Sequence, residues 1–119
     1  MRNGLPLVAV VSRVPILSEG VALALGDVAE VRIFPANGDM SGLLTSVRPD
    51  AVVVDDAVQA EQALVFARDE GAPLLHISLQ DRRLRIYGRD GWQESADEGA
   101  SPEGIRNAIA GALYGKGRR

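Results

Sequence analysis

Asp55-Asp56 follows directly on an apolar run, Ala51 to Val54, and the only histidine, His76, lies inside another, Pro73 to Leu79. Two carboxylates can divide general acid and general base roles when their environments separate their pKa values. These two are adjacent, so they leave a strand in different directions, and neither a base nor a nucleophile accompanies them. They read as a cap for a following helix beside one carboxylate held at a strand end. A single His without a cysteine or a second His reads as a packed, hydrogen-bonded core residue rather than a metal ligand. Ser12 and Ser18 lack the glycine-rich turn that presents a nucleophilic serine. Val11 to Pro15 contains no glycine to cradle a phosphate. No catalytic constellation emerges, and the chain reads as a non-enzyme that needs no metal or cofactor.

The densest basic stretch is Arg82-Arg83-Leu84-Arg85-Ile86-Tyr87-Gly88-Arg89, with Trp92 just beyond it. Arginines and aromatics on one strand can hold phosphates and stack bases. Asp90, Glu94, Asp97, Glu98 and Glu103 follow at once, so a basic arm lies beside an acidic one. That pairing suits a protein contact, with another chain or a second copy of this one, better than nucleic acid. A merely solvated hairpin is the plainer alternative. The expected interface is Arg82, Arg83, Arg85, Tyr87, Arg89 and Trp92, because aromatics and arginine dominate interface energetics.

These groups sit on a chain of 119 residues, enough for one domain, expected over 1–114 with 115–119 as a disordered tail. Apolar residues make up 46% and charged residues 24%, which excludes wholesale disorder. The net charge of −3 argues against a surface that tracks nucleic acid throughout. With no cysteine, disulfides and thiolate chemistry are excluded, and the only lysine is Lys116. The amino terminus carries no signal-peptide pattern and no apolar run is long enough to span a bilayer, so a cytoplasmic, membrane-free protein is expected.

The elements that must position these residues alternate. Leu5 to Val11 reads as a strand buried on both faces, followed by a helix opened by Pro15 with Leu17, Val21, Ala24, Leu25 and Val28 on one stripe. Glu30 to Phe34 alternates and reads as an edge strand. Asp39 can cap a short helix ended by Pro49, and a third helix runs from Val58 to Asp69 with Gly71 as its stop. Ser101-Pro102-Glu103 opens the last helix, with Ile105, Ala108, Ile109, Ala112 and Leu113 inward. Residues 80–100 interrupt the rhythm: Leu84 to Gly88 reads as a strand and Trp92 to Glu94 as a returning hairpin arm where the alternation calls for a helix.

Three segments resemble the receiver domain of bacterial two-component response regulators, in particular those that precede a LuxR-type helix-turn-helix. Val11-Ser12-Arg13-Val14-Pro15 through Val21 is similar to the junction of the first strand and helix. Arg48-Pro49-Asp50 through Asp55 is similar to the strand that ends on the phospho-accepting aspartate. Ala100-Ser101-Pro102-Glu103 through Ile109 is similar to the last helix. The resemblance implies a flavodoxin-like α/β fold, a parallel five-strand sheet of order 2-1-3-4-5 with helices on both faces. It also implies a pocket at Ser12, Arg13, Asp55, Asp56 and Ser78.

In a working receiver that pocket holds two acids for Mg²⁺, an acceptor Asp, a hydroxyl residue and a Lys. Here Ser12 and Arg13 stand at the acid positions, Asp55 at the acceptor and Ser78 at the hydroxyl, and no Lys is in place. An ion pair between Arg13 and Asp55 would hold the pocket in one state; the plainer alternative is that Arg13 points into solvent and Asp55 caps the following helix. The resemblance therefore implies a vestigial pocket: a pseudo-receiver used for regulatory contact or homodimerisation, with DNA engaged only through a separate domain if the chain is a fragment. The alternatives are a receiver phosphorylated on Asp55 and a sensor of small anionic ligands at the crevice beside Arg13.

Overall fold

Strands β1 (Leu7–Val11) and β3 (Ala51–Val54) are apolar and buried at every position, as strands covered on both faces must be. The computed structural model that gives this arrangement describes residues 5–35, 39–78, 83–88, 91–94 and 101–115. Between and after these strands come α1 (Pro15–Leu25), β2 (Glu30–Phe34), α2 (Met40–Val47), α3 (Ala57–Glu70), β4 (Leu74–Ser78), β5 (Arg83–Gly88), β6 (Gly91–Glu94) and α4 (Pro102–Ala110). A π-helical turn, Gly111–Gly115, extends α4.

One six-stranded sheet runs β2-β1-β3-β4-β5-β6. The pairings from β2 to β4 are parallel, and β4–β5 and β5–β6 are antiparallel. The expected all-parallel five-strand sheet is therefore corrected to a mixed sheet of six. Chain length gives the reason. Only 79–82 separate Ser78 from Arg83, whereas a parallel crossover takes a dozen residues or more, so β5 must return antiparallel. Two residues then separate Gly88 from Gly91, whose φ of 87° suits glycine, and β6 folds back as the hairpin arm expected from the sequence.

Alternation divides the core into two layers. Val8, Val10, Ala51, Val53, Leu75, Ile77 and Leu84 meet Leu17, Val21 and Leu25 of α1 and Ile105 and Ile109 of α4. On the other face, Ala9, Val11, Val52, Val54 and Leu74 meet α2 through Met40 and Leu44, and α3 through Ala60, Ala63, Phe66 and Ala67. β2 stands at the edge with three of five residues exposed, which its alternating sequence requires.

Polar side chains fix the ends. The Asp50 carboxylate accepts from Leu7 N–H at 2.7 Å while Asp50 N–H donates to the Leu7 carbonyl at 2.7 Å, which aligns the start of β3 with β1. Ser101 Oγ accepts from Gly104 N–H at 3.0 Å and caps α4. Asp39 makes no such side-chain bond at the start of α2. Arg106 forks across both carboxylate oxygens of Asp27, tying α4 to the turn after α1.

Leu84 is fully buried in β5 between β4 and the layer that includes α4. Leu84→Ala is expected to lower unfolding stability by about 2–5 kcal/mol, read from urea denaturation of both proteins.

Candidate functional site

The register Val11↔Val54 brings the carboxyl ends of β1 and β3 side by side, so the residues that follow them meet across 43 positions of sequence. Ser12 is buried, and its Oγ donates to Asp55 Oδ2 at 2.8 Å. The same oxygen accepts from Val14 N–H at 2.9 Å, which folds the chain sharply toward α1. The Val14 carbonyl, at 3.2 Å, is the longer of two acceptors for a single hydroxyl proton, and the carboxylate is the stronger.

Arg13 is exposed and forms no ion pair among the described residues, so the Arg13–Asp55 pair is not formed and Arg13 takes the solvent-facing alternative. A short hydroxyl directly at the strand end reaches Asp55, and the longer arginine one residue later turns to solvent. Asp56 caps α3: its Oδ1 accepts from Val58 N–H at 2.9 Å. The two adjacent acids therefore have separate tasks. Ser78 lies half-buried at the end of β4, in the strand next to β3.

The hairpin builds a second cluster on the sheet face shared with α3. Antiparallel register places Arg85 opposite His76, Arg83 opposite Ser78 and Tyr87 opposite Leu74. β6 then sets Trp92 opposite Tyr87 and Glu94 opposite Arg85. An Arg85 guanidinium nitrogen lies 2.8 Å from His76 Nδ1, so that nitrogen is the acceptor and the imidazole is neutral with its proton on Nε2. The Arg85 guanidinium also lies over the Trp92 ring, 4.7 Å from its centroid. Trp92 meets Tyr87 edge-on at 5.5 Å and His76 at 6.4 Å. Arg83 pairs with Glu94 at 3.3 Å on the exposed margin, where such a pair contributes little.

Of the expected interface, Arg83, Arg85, Tyr87 and Trp92 share this face, whereas Arg82 and Arg89 lie outside the described residues. His76 is the core residue expected from its solitude, but its tie to Arg85 and Trp92 was missed. The signal lay in the register: a four-residue connection after Ser78 fixes which residue of β5 faces which residue of β4. Also unexpected is a groove between the end of α3 and Tyr87, lined in part by Arg68.

No protein-family model, no curated protein and no solved structure matches the chain. Among the described residues no helix is long and apolar enough to cross a membrane.

Burial, reinforced by the Arg85 charge, pushes the His76 imidazole below its ordinary 6.5, and the more distant carboxylates of Asp56 and Asp55 oppose this only in part. A depressed histidine favours the neutral form in the folded chain, so the unfolded chain takes up the proton first and stability falls as pH drops through 6.5. An NMR titration of this single imidazole is expected to give a midpoint below 6.5 that Arg85→Leu moves upward. A midpoint at or above 6.5 in the parent chain would contradict the arrangement.

Proposed function

We propose that this chain is a receiver-like signalling module, flavodoxin-like in its parallel half, that acts by contact rather than through Mg²⁺-dependent phosphorylation of Asp55. The hydrogen bond from Ser12 to Asp55 carries this reading. Phosphoryl transfer to a carboxylate needs a dication held by further carboxylates and cationic cover for the equatorial oxygens. At this strand edge the neighbouring positions hold a hydroxyl already bonded to Asp55 and an arginine turned to solvent. Among the described residues no three His, Asp or Glu side chains converge to hold a metal ion. The fixed bond between the ends of β1 and β3 suits a pocket kept in one state.

The contact surface in this reading is the hairpin face, where Arg83, Arg85, Tyr87 and Trp92 stand together. Trp92 and Tyr87 are half-buried rings braced by one another and by Arg85, so a partner meets them already ordered. The partner is another regulatory protein or a second copy of the chain; if the chain is part of a longer protein, DNA is met only through a separate domain.

Sedimentation velocity over a concentration series, with and without acetyl phosphate and Mg²⁺, tests both halves of the reading. The expected outcome is self-association that the phosphodonor leaves unchanged and that Trp92→Ala weakens at least about tenfold. Association that appears only with the phosphodonor would return the chain to the phosphorylated receivers. An unaltered constant in Trp92→Ala would remove the hairpin face from the contact.

A further inference from the structure

At the opposite end of the sheet from Ser12 and Asp55, the chain leaves α3 and starts β4 beside the last residues of β5. A groove of about 310 Å³ opens there. It exists because the residues around it are small. Ala67 ends the buried stripe of α3, Gly71 closes the helix in the left-handed region at φ 72°, and Gly88 ends β5. A Cβ built at Gly71 or at Gly88 would meet no atom within 4 Å, so the space between helix and strand is open.

Three kinds of surface meet in this groove. Ala67, Ala72 and Pro73 supply an aliphatic wall. Tyr87 supplies an aromatic one, held by its edge-to-face contact with Trp92 and by packing on the α2–α3 core layer. Arg68 supplies the charge. No carboxylate pairs with Arg68 among the described residues, and nearby Glu70 lies 3.9 Å from Arg48 instead. Arg68 already complements the negative end of α3, and that leaves its guanidinium donors free. Among the described residues no acid lines the groove, so a cation finds no carboxylate among them.

We propose that this groove binds a small planar carboxylate, with a ring or conjugated system against Tyr87 and Pro73 and the carboxylate bonded in parallel by Arg68. A guanidinium matches a carboxylate in plane and spacing, which a bare apolar slot or a point charge would not. The volume sits at the low end of small-molecule sites, about 300–1,000 Å³, so the ligand is one ring or its equivalent and not a dinucleotide. This site shares the Tyr87 ring with the contact face described above, but it does not rest on that reading, since the groove is lined by neither Asp55 nor Arg85 nor Trp92.

Amide NMR titration of the full chain with benzoate, acetate and benzylamine tests it. Saturable shifts centred on Ala67, Arg68, Gly71, Ala72 and Tyr87 are expected for benzoate, with a Kd of about 1 mM or tighter. Acetate and benzylamine are expected to bind at least about tenfold more weakly, lacking the ring or the negative charge. Arg68→Gln should weaken benzoate by a similar factor while lowering the thermal midpoint by no more than about 5 °C, because Arg68 is exposed, unpaired among the described residues and contributes only a helix-end charge. Absent or unsaturable shifts, shifts centred on Arg13 or Arg83, equal binding of benzylamine, or full binding by Arg68→Gln would each overturn the proposal.

Discussion

Every residue of β1 and β3 loses essentially all contact with water, because α1 and α4 cover one face of the sheet and α2 and α3 the other. A polar side chain in such a layer needs a partner with it, at a penalty of about 1–3 kcal/mol if it has none. Chemistry is therefore displaced to two places: the strand ends, where cover stops, and the flank of the sheet beyond α3. Ser12, Asp55 and Asp56 occupy the first, and His76, Arg85, Tyr87 and Trp92 the second. At the strand ends, the carboxylate and hydroxyl satisfy one another at 2.8 Å. The same logic holds at the amino edge, where Asp50 closes a two-way bond with Leu7.

The flank has its own logic. β5 is backed on one face by the layer containing α4, through Leu84, while its other face carries residues of mixed character. His76 projects from a buried strand, and its ring meets a guanidinium and an indole. The guanidinium bridges the two, accepted by His76 Nδ1 and stacked on Trp92. Arg85 is thus taken up within the cluster, and Arg68 beside the neighbouring groove is the arginine left for a ligand.

The alternation of strands and helices was readable because each element carries its own period and punctuation. Glu30–Phe34 alternates and is an edge strand; Ser101-Pro102 starts a helix and does so with a capping bond. Strand direction in the last third was less open to reading, since a resemblance to an all-parallel fold competed with connections too short for a crossover. The local geometry decided it. At the site, residue type showed that the two positions after β1 hold no acid to stand beside Asp55, but not which of them meets it. Arg13 has the charge to pair with Asp55, and Ser12 has the reach. Only coordinates distinguish a short donor pointing inward from a long one pointing out. His76 and Arg85, nine positions apart, become partners only once the hairpin fixes their register.

In the proposed reading the two clusters belong together: the carboxylate at the strand ends is held by a hydroxyl, and the hairpin face is ordered beforehand. The most direct test is an amide NMR titration with Mg²⁺ followed by beryllofluoride, a mimic of the aspartyl phosphate. The account predicts a dispersed spectrum in which the amides of Ser12, Asp55, Ser78 and β5 do not move. Saturable shifts at Asp55 and Ser78 that spread into β5 would contradict it, because they would mean that the Ser12–Asp55 bond yields to a phosphoryl group.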